Sequence, residues 1–229
     1  MTRDELKRQA ASEAAAMVSD GMIVGLGTGS TAAFFIEALI GRVRGGLRIA
    51  GIPTSERSAE QARQGGISLT SFAEHDHIDL AVDGADEIEQ GTLNLLKGLG
   101  GAALREKIVA SAAKQFVIVA DEEKVVGRLG SRAPVPVEVT RFGWELTLHR
   151  VRGLGATTTL RQAAGEPYIT DGGNFILDAT FGPIAEPAAL DTKLHAIPGV
   201  VGNGLFIGMA TLALVAGSGG VKRLQPEAH

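Results

Sequence analysis

Short apolar runs and longer amphipathic segments alternate four times between Met22 and Asp121. "MIVGLG", "LRIAGIP", "IDLAVDG" and "FVIVAD" read as buried strands, with "AAFFIEALIGRV", "SERSAEQARQGG" and "AALREKIVASAAKQ" as the helices between them. Another helix precedes them, because Thr2 and Glu5 stand at capping-box spacing ahead of "DELKRQAASEAAAMV". Parallel strands need crossover connections, and the crossovers lay helices on both faces of the sheet. The predicted class is therefore α/β, a Rossmann-like parallel sheet with helices on both faces.

After about Ser131 the rhythm changes. "PVPVEV" reads as a strand, "FGWELTLHRVRG" as a helix and "ATTTLRQ" as a strand. "YIT" and "NFILDAT" then flank "DGG" as a hairpin, followed by the helix "PAALDTKLHAIPG" and the strand "VVGNGLFIG". The order βαββαβ is that of a ferredoxin-like split unit. "ATLALVAG" and "VKRLQP" are expected to return to the first sheet as a closing pair. The expected organisation is a Rossmann-like catalytic unit of residues 1–130 and 207–229 and a smaller ferredoxin-like α+β unit of residues 131–206.

Aromatic residues are only 4% of the chain against 31 glycines, so the core must be built from Ala, Val, Leu and Ile with many tight turns. That suits α/β layers better than an all-β sandwich. The formal charge is −4 with no basic block, so no nucleic-acid partner is expected. Arg150 and Arg152, beside His149, read as a solvated helix face. Cysteine is absent, which removes disulfide and thiolate chemistry and fits a reducing compartment. The N-terminus has no apolar signal core, and no apolar run reaches membrane-spanning length. The expectation is a cytoplasmic protein with no membrane partner.

Two stretches carry chemistry. "GLGTGSTA", Gly25 to Ala32, satisfies G-x-G-x-x-A, yet "GIPTSE" offers Thr54 and Ser55 where a dinucleotide site needs an acid. The N–H groups of Ser30, Thr31 and Ala32 at a helix start suit a phosphate, with hydroxyls from Thr28, Ser30 and Thr31. Alternatively, Ser30 or Thr31 simply caps the helix. The second stretch is "DGADEIEQGTLNLLKGLGGAALREK", Asp83 to Lys107. Asp83 ends a strand, where ligands collect in open parallel sheets, and Asp86 and Glu87 follow in the same loop. Lys97 leads into a glycine run, and Glu106 sits in the first turns of the next helix. Leu104, Ile108 and Ala112 mark that helix's expected core face, which leaves Glu106 facing either water or a cleft. Asp83 and Asp86 could also hold a divalent metal. His75 and His77 lack a third partner for one, and with His149 and His229 they read as solvated.

"VGLGTGST", "DGADEI", "KGLGGAALREKIVA", "PVPVEV", "TDGGN" and "IPGVVGNGLF" occur in that order, and together they resemble the A-type ribose-5-phosphate isomerase family over nearly the whole chain. Two departures stand out: Gly172, where the family tends to have Asn, and Gly202–Asn203 in a variable stretch, neither expected to touch the chemistry. The resemblance implies an aldose–ketose isomerase of the non-oxidative pentose phosphate pathway. It would interconvert D-ribose 5-phosphate and D-ribulose 5-phosphate through an enediol, without metal or cofactor. It makes Glu106 the general base and Asp83, Asp86 and Lys97 catalytic partners. Lys124 falls on the phosphate side, and Lys7 matches the family's N-terminal lysine. Thr28, Gly29, Ser30 and Thr31 form the substrate loop, with Gly84, Ala85, Gly98, Leu99 and Gly100 adding backbone contacts. A homodimer or homotetramer is expected by the same token.

On that assignment Glu106 moves the carbon proton, Lys97 and loop N–H groups hold the enediolate oxygen, Asp83 shuttles the hydroxyl proton, and Asp86 orients the sugar or assists ring opening. Three carboxylates beside a phosphate require cations, which Lys97, Lys124 and the helix start supply. A sugar-phosphate sensor and a nicotinamide-dependent dehydrogenase are the rival readings. The first usually carries a DNA-binding helix pair, for which this chain has neither spare length nor a basic N-terminal module, and a nucleotide titration tests the second.

Overall fold

The computed structural model describes residues 2–227, so His229 lies outside them. The first part of the chain runs α1 (Arg3–Ala16), β1 (Ile23–Leu26), α2 (Ser30–Arg44), β2 (Ala50–Pro53), α3 (Glu56–Gly65), β3 (Ser68–Leu69) and β4 (Ile78–Asp83). It continues through β5 (Glu87–Glu89), β6 (Leu95–Leu96), α4 (Ala103–Ser111), β7 (Ala113–Asp121) and β8 (Val125–Val126). Then follow β9 (Val135–Val139), α5 (Trp144–Arg152), β10 (Thr157–Leu160), β11 (Gln162–Ala163), β12 (Glu166–Pro167) and β13 (Phe175–Thr180). The chain closes with α6 (Pro187–His195), β14 (Val200–Asn203), β15 (Leu205–Phe206), β16 (Leu212–Gly217) and β17 (Gly220–Leu224).

Seven strands form the main sheet in the order β17-β16-β7-β4-β1-β2-β3, parallel except for the β16–β17 hairpin. Successive side chains of a strand point to opposite faces. Here Val24, Leu26, Leu80, Val82, Val117 and Val119 pack under α1 and α2, while Ile23, Ala81, Ile118 and Ala120 pack under α4. Both faces are buried, which is why these strands read as unbroken apolar runs. The capping box at Thr2 and Glu5 is present, and α1 lays Ala10, Ala11, Ala14 and Ala15 on the sheet.

The second sheet has the order β10-β13-β9-β14 and is antiparallel, with α5 and α6 against it, as a ferredoxin-like split unit requires. β16 and β17 return to the main sheet as the sequence predicts. Four local expectations fail. α4 stops at Ser111, because Ala113 already pairs with Ile78 and sheet pairing overrides the helix preference of the alanines. Tyr168–Thr170 is not a strand of the hairpin; β13 instead pairs with β10 and β9. "VVGNGLFIG" breaks into β14 and β15 at Gly204, whose carbonyl accepts from Lys97 N–H at 2.9 Å. Gly204, next to Gly202–Asn203, thus packs on the Lys97 backbone, while Gly202 faces Leu104 and Asn203 donates to Asp191.

The fourth difference is a small sheet, β15-β6-β5-β8, drawn mostly from the acidic stretch. Glu87 does not share a loop with Asp86. It opens β5, is 1% exposed, and accepts N–H bonds from Gly130 (2.6 Å), Arg132 (2.6 Å) and Ala133 (3.0 Å). Its carboxylate therefore fixes the turn that leads into the second sheet. Glu87→Ala should lower stability in urea unfolding by roughly 2 kcal/mol, since it strands one buried and two part-buried donors, and Glu87→Gln by less. Equal stability of the alanine variant and the parent would refute that role.

Candidate active site

Strands β1 and β4 are neighbours in the sheet, but β1 leads to β2 on one side and β4 lies on the other. Chain connections diverge there, which opens a crevice at the strands' carboxyl ends. The turn after β1 and the acid that ends β4 meet in it. Gly27 N–H donates to Val82 O at 3.0 Å, and Asp83 Oδ1 accepts from Thr28 N (3.0 Å) and Gly84 N (2.8 Å). A Cβ on Gly27 would lie 2.4 Å from the Asp83 carboxylate, so only glycine permits this approach.

Gly29, at φ +101°, starts α2, and no side chain caps that helix. The alternative of capping by Ser30 or Thr31 is not realised, which leaves the first N–H groups of a fifteen-residue helix for an anion. Ser30 Oγ instead accepts from Lys7 Nζ at 3.0 Å, bringing the α1 lysine to the same place. The Thr28 hydroxyl turns inward to Thr54 (2.6 Å) and Ser55 (2.8 Å). It is thus engaged with the protein and is not a free donor. This hydroxyl cluster also occupies the end of β2, where a dinucleotide site would place its acid.

Lys97, just past β6, is 3% exposed. Its Nζ stands 3.1 Å from Asp83 Oδ2 and 3.3 Å from Glu106 Oε2, and it donates to Gly84 O. Phe206 covers it, with the ring centroid 5.5 Å away. Glu106 is 4% exposed and belongs to the buried face of α4 with Ala103, Val109 and Ala110. The observed inward face is not the expected one: Ile108 is 47% exposed and Leu104 only half-buried. Apolarity alone misassigns the helix, because its inward face carries the acid. Glu106 Oε2 makes no directed hydrogen bond, so its contact with Lys97 is an ion pair without hydrogen-bond geometry.

Burial pushes the Glu106 carboxyl up to about 8, with Lys97 opposing the rise and Asp83 adding to it. Burial also raises Asp83, against Lys97 and the two N–H groups it accepts from. For Lys97 burial acts downward, but Asp83 and Glu106 outweigh it and hold the ammonium above its ordinary value. Burial thus holds both carboxyls above their ordinary range, with the N–H groups on Asp83 favouring its ionised form, so the pair titrates as a unit around Lys97.

These groups border a cavity of about 150 Å³. Lys97, Glu106 and Asp86 line it, as do Thr28, Gly29, Ser30 and Thr31. Gly84, Ala85, Gly98 and Gly100 supply backbone walls, and Lys7 and Lys124 supply cations. Two predicted residues stand back from it. Asp83 lies beneath Lys97, and Leu99 is 45% exposed, its N–H given to Asp86 Oδ2 at 3.0 Å. Arg3 and Asp121 also line the cavity, and the sequence pattern did not single them out. Asp121 ends β7 as Asp83 ends β4, and that strand-end position was the signal available. Among the described residues no group of three or more His, Asp or Glu is arranged for a metal, and no helix is long and apolar enough to cross a membrane.

A donor-rich helix start with lysines can hold an anion, and a carboxylic acid beside an ammonium can move a proton next to it. The sequence profile described as "Ribose 5-phosphate isomerase A (phosphoriboisomerase A)" matches residues 50–220. The chain is 54% identical to the ribose-5-phosphate isomerase A of Gloeobacter violaceus, over 100% of this chain and 99% of that one. It is 57% identical to that of Synechococcus sp., over 97% of each. Its fold is similar to the ribose 5-phosphate isomerase A of Methanocaldococcus jannaschii, with TM-score 0.94 and 41% identity over 98% and 100% of the two chains. A D-ribose-5-phosphate isomerase in complex with phospho-erythronic acid is similar at TM-score 0.95, with 41% identity over the same shares. With the geometry and these likenesses together, the chain belongs to the ribose 5-phosphate isomerase A family.

Proposed function

We propose that this protein interconverts D-ribose 5-phosphate and D-ribulose 5-phosphate through an enediolate, as a cytoplasmic homodimer or homotetramer of the non-oxidative pentose phosphate pathway. The observation that carries the reading is a buried glutamic acid 3.3 Å from a buried ammonium, in the wall of a cavity that also holds an uncapped helix start and two further lysines.

Isomerisation requires a proton to leave one carbon and arrive on the next, while the oxygens exchange another. Glu106, once ionised, takes the carbon proton and returns it to the neighbouring carbon. A base matched to the working pH contributes typically ~10²–10⁴-fold. Lys97 carries three donors; one is held by Gly84 O, and the ammonium is ion-paired with Asp83 and Glu106. From the cavity wall it can donate to the developing enediolate oxygen. A preorganised donor of that kind is worth about 3 kcal/mol. Asp83 orients Lys97 from below, and Asp86 meets the sugar from the cavity wall. The α2 start, Lys7 and Lys124 hold the phosphate and offset its charge. No metal or cofactor is required by these steps. The return of β16 and β17 to the main sheet supports the division into residues 1–130 with 207–229 and residues 131–206.

The reading is tested first by turnover of ribose 5-phosphate by the purified protein. Glu106→Gln should lower kcat by ~10²-fold or more with KM little changed, and turnover within a few-fold of the parent would remove Glu106 as the base. Lys124→Ala should raise KM by about tenfold at near-constant kcat, because the phosphate contact persists through the reaction. A loss confined to kcat would contradict a phosphate role. The pH dependence has opposite signs for activity and stability. The base must be ionised, so kcat/KM rises with pH and levels off above about 8. The folded chain, however, binds the Glu106 proton more tightly than the unfolded one. Stability therefore falls as pH rises from 4.5 to about 8. Thermal unfolding of Glu106→Gln across that window should show a smaller fall, and parallel curves for the two proteins would rule the assignment out.

A further inference from the structure

An arginine beside the second sheet reaches the cavity wall. Arg161 lies between β10 and β11, and its guanidinium is 13% exposed. Its Nε donates to Asp178 Oδ2 at 2.9 Å, and Nη2 donates to Asp178 Oδ1. The other nitrogen, Nη1, donates to the carbonyls of Gly98 and Leu99, each at 3.0 Å. One rigid fork thus grips a carboxylate on β13 with one edge and two consecutive loop carbonyls with the other.

The loop held in this way is the glycine run after Lys97. Gly98 and Gly100 form cavity wall, and the Leu99 N–H fixes Asp86 at 3.0 Å. Tyr168 closes on the far end, where a Cβ on Gly101 would come within 2.2 Å of its hydroxyl. Arg161 itself is set by its backbone, which donates to Ile176 O (2.8 Å) and accepts from Tyr168 N (2.9 Å). A run of glycines has little conformational preference of its own, so its shape must be imposed from outside. Arg161 touches neither cavity nor reacting groups; it acts through the loop.

We propose that Arg161, clamped by Asp178, is a positioning residue that braces the Gly98–Gly101 loop so that Leu99 aligns Asp86 with the sugar. The proposal rests on the isomerase reading of the same site and assigns the second sheet a part in it. A salt bridge that merely joined the two sheets would require only charge. A brace requires the fork, which lysine cannot reproduce.

The test uses Arg161→Lys, which keeps the charge opposite Asp178, and Arg161→Ala with and without added guanidinium. Displacements of about 1 Å in a positioning element can cost up to ~10²-fold, so kcat of Arg161→Lys should fall by about tenfold or more. KM should stay within about threefold, since the phosphate-holding groups lie elsewhere. Guanidinium should restore part of the kcat lost in Arg161→Ala. Independently of turnover, backbone amides of residues 98–101 should exchange faster in both variants while the melting temperature of Arg161→Lys stays near the parent's. A folded Arg161→Lys with kcat within twofold of the parent, or with unchanged exchange in the loop, overturns the proposal. If the parent itself fails to turn over ribose 5-phosphate, the isomerase reading falls, and the exchange measurement still decides whether the brace exists. If Arg161→Ala does not fold, kcat and loop exchange of Arg161→Lys decide the matter alone.

Discussion

The Lys97 ammonium, held out of water between the Asp83 and Glu106 carboxylates, is the contact on which the site depends. Burying three ionisable groups costs several kcal/mol for each one left charged and unpaired. One cation cannot fully neutralise two anions, so one proton must be kept. The two carboxylates differ in their donors: Asp83 has fixed N–H groups from Thr28 and Gly84, and Glu106 has none. Burial keeps a proton on this pair and holds Glu106 at about 8, where the proton can be lost and regained at working pH. A glutamate in water would ionise far too low to return a proton readily, and one buried without Lys97 would hold its proton too tightly.

Three elements must converge for that contact to exist, and the residues beside it show how they are held. Arg105 ties α4 to Glu56 at 3.0 Å and to the Asp171 carbonyl at 3.1 Å. Lys107, on the other flank, reaches Asp191 at 3.6 Å and lies over Phe206. Glu106 thus lies between two tethered neighbours. Lys97 is fixed at its backbone by Gly204, and Asp83 by the glycine turn. Rigid support of this kind is what keeps a proton-transfer geometry constant through turnover.

Much of this was readable from residue order. The α/β class followed from alternation, the βαββαβ order from the change of rhythm after Ser131, and the last two apolar segments were expected to close the first sheet. Glu106, Lys97 and the aspartates were picked out by their grouping near glycines. Apolar pattern, used as a guide to burial, misled. Ile108 is exposed and Glu106 is inside, because the inward face of α4 is a cavity wall rather than a core. Glu87 looked like one more loop acid and proved to be a buried acceptor for three N–H groups that lie more than forty residues away.

Sequence alone determined which groups are available: a proton carrier, an ammonium, an anion-binding helix start, and glycines where backbone must come close. These depend on local chemistry and on periods of two and 3.6 residues, which a chain displays in its order. Tertiary structure alone decided that the buried acids keep a proton between them, which hydroxyls are already engaged, and that an arginine beside the second sheet grips the glycine loop. Those outcomes depend on burial and on partners distant in the chain, because a charge's energy is set by everything packed around it rather than by its neighbours in sequence.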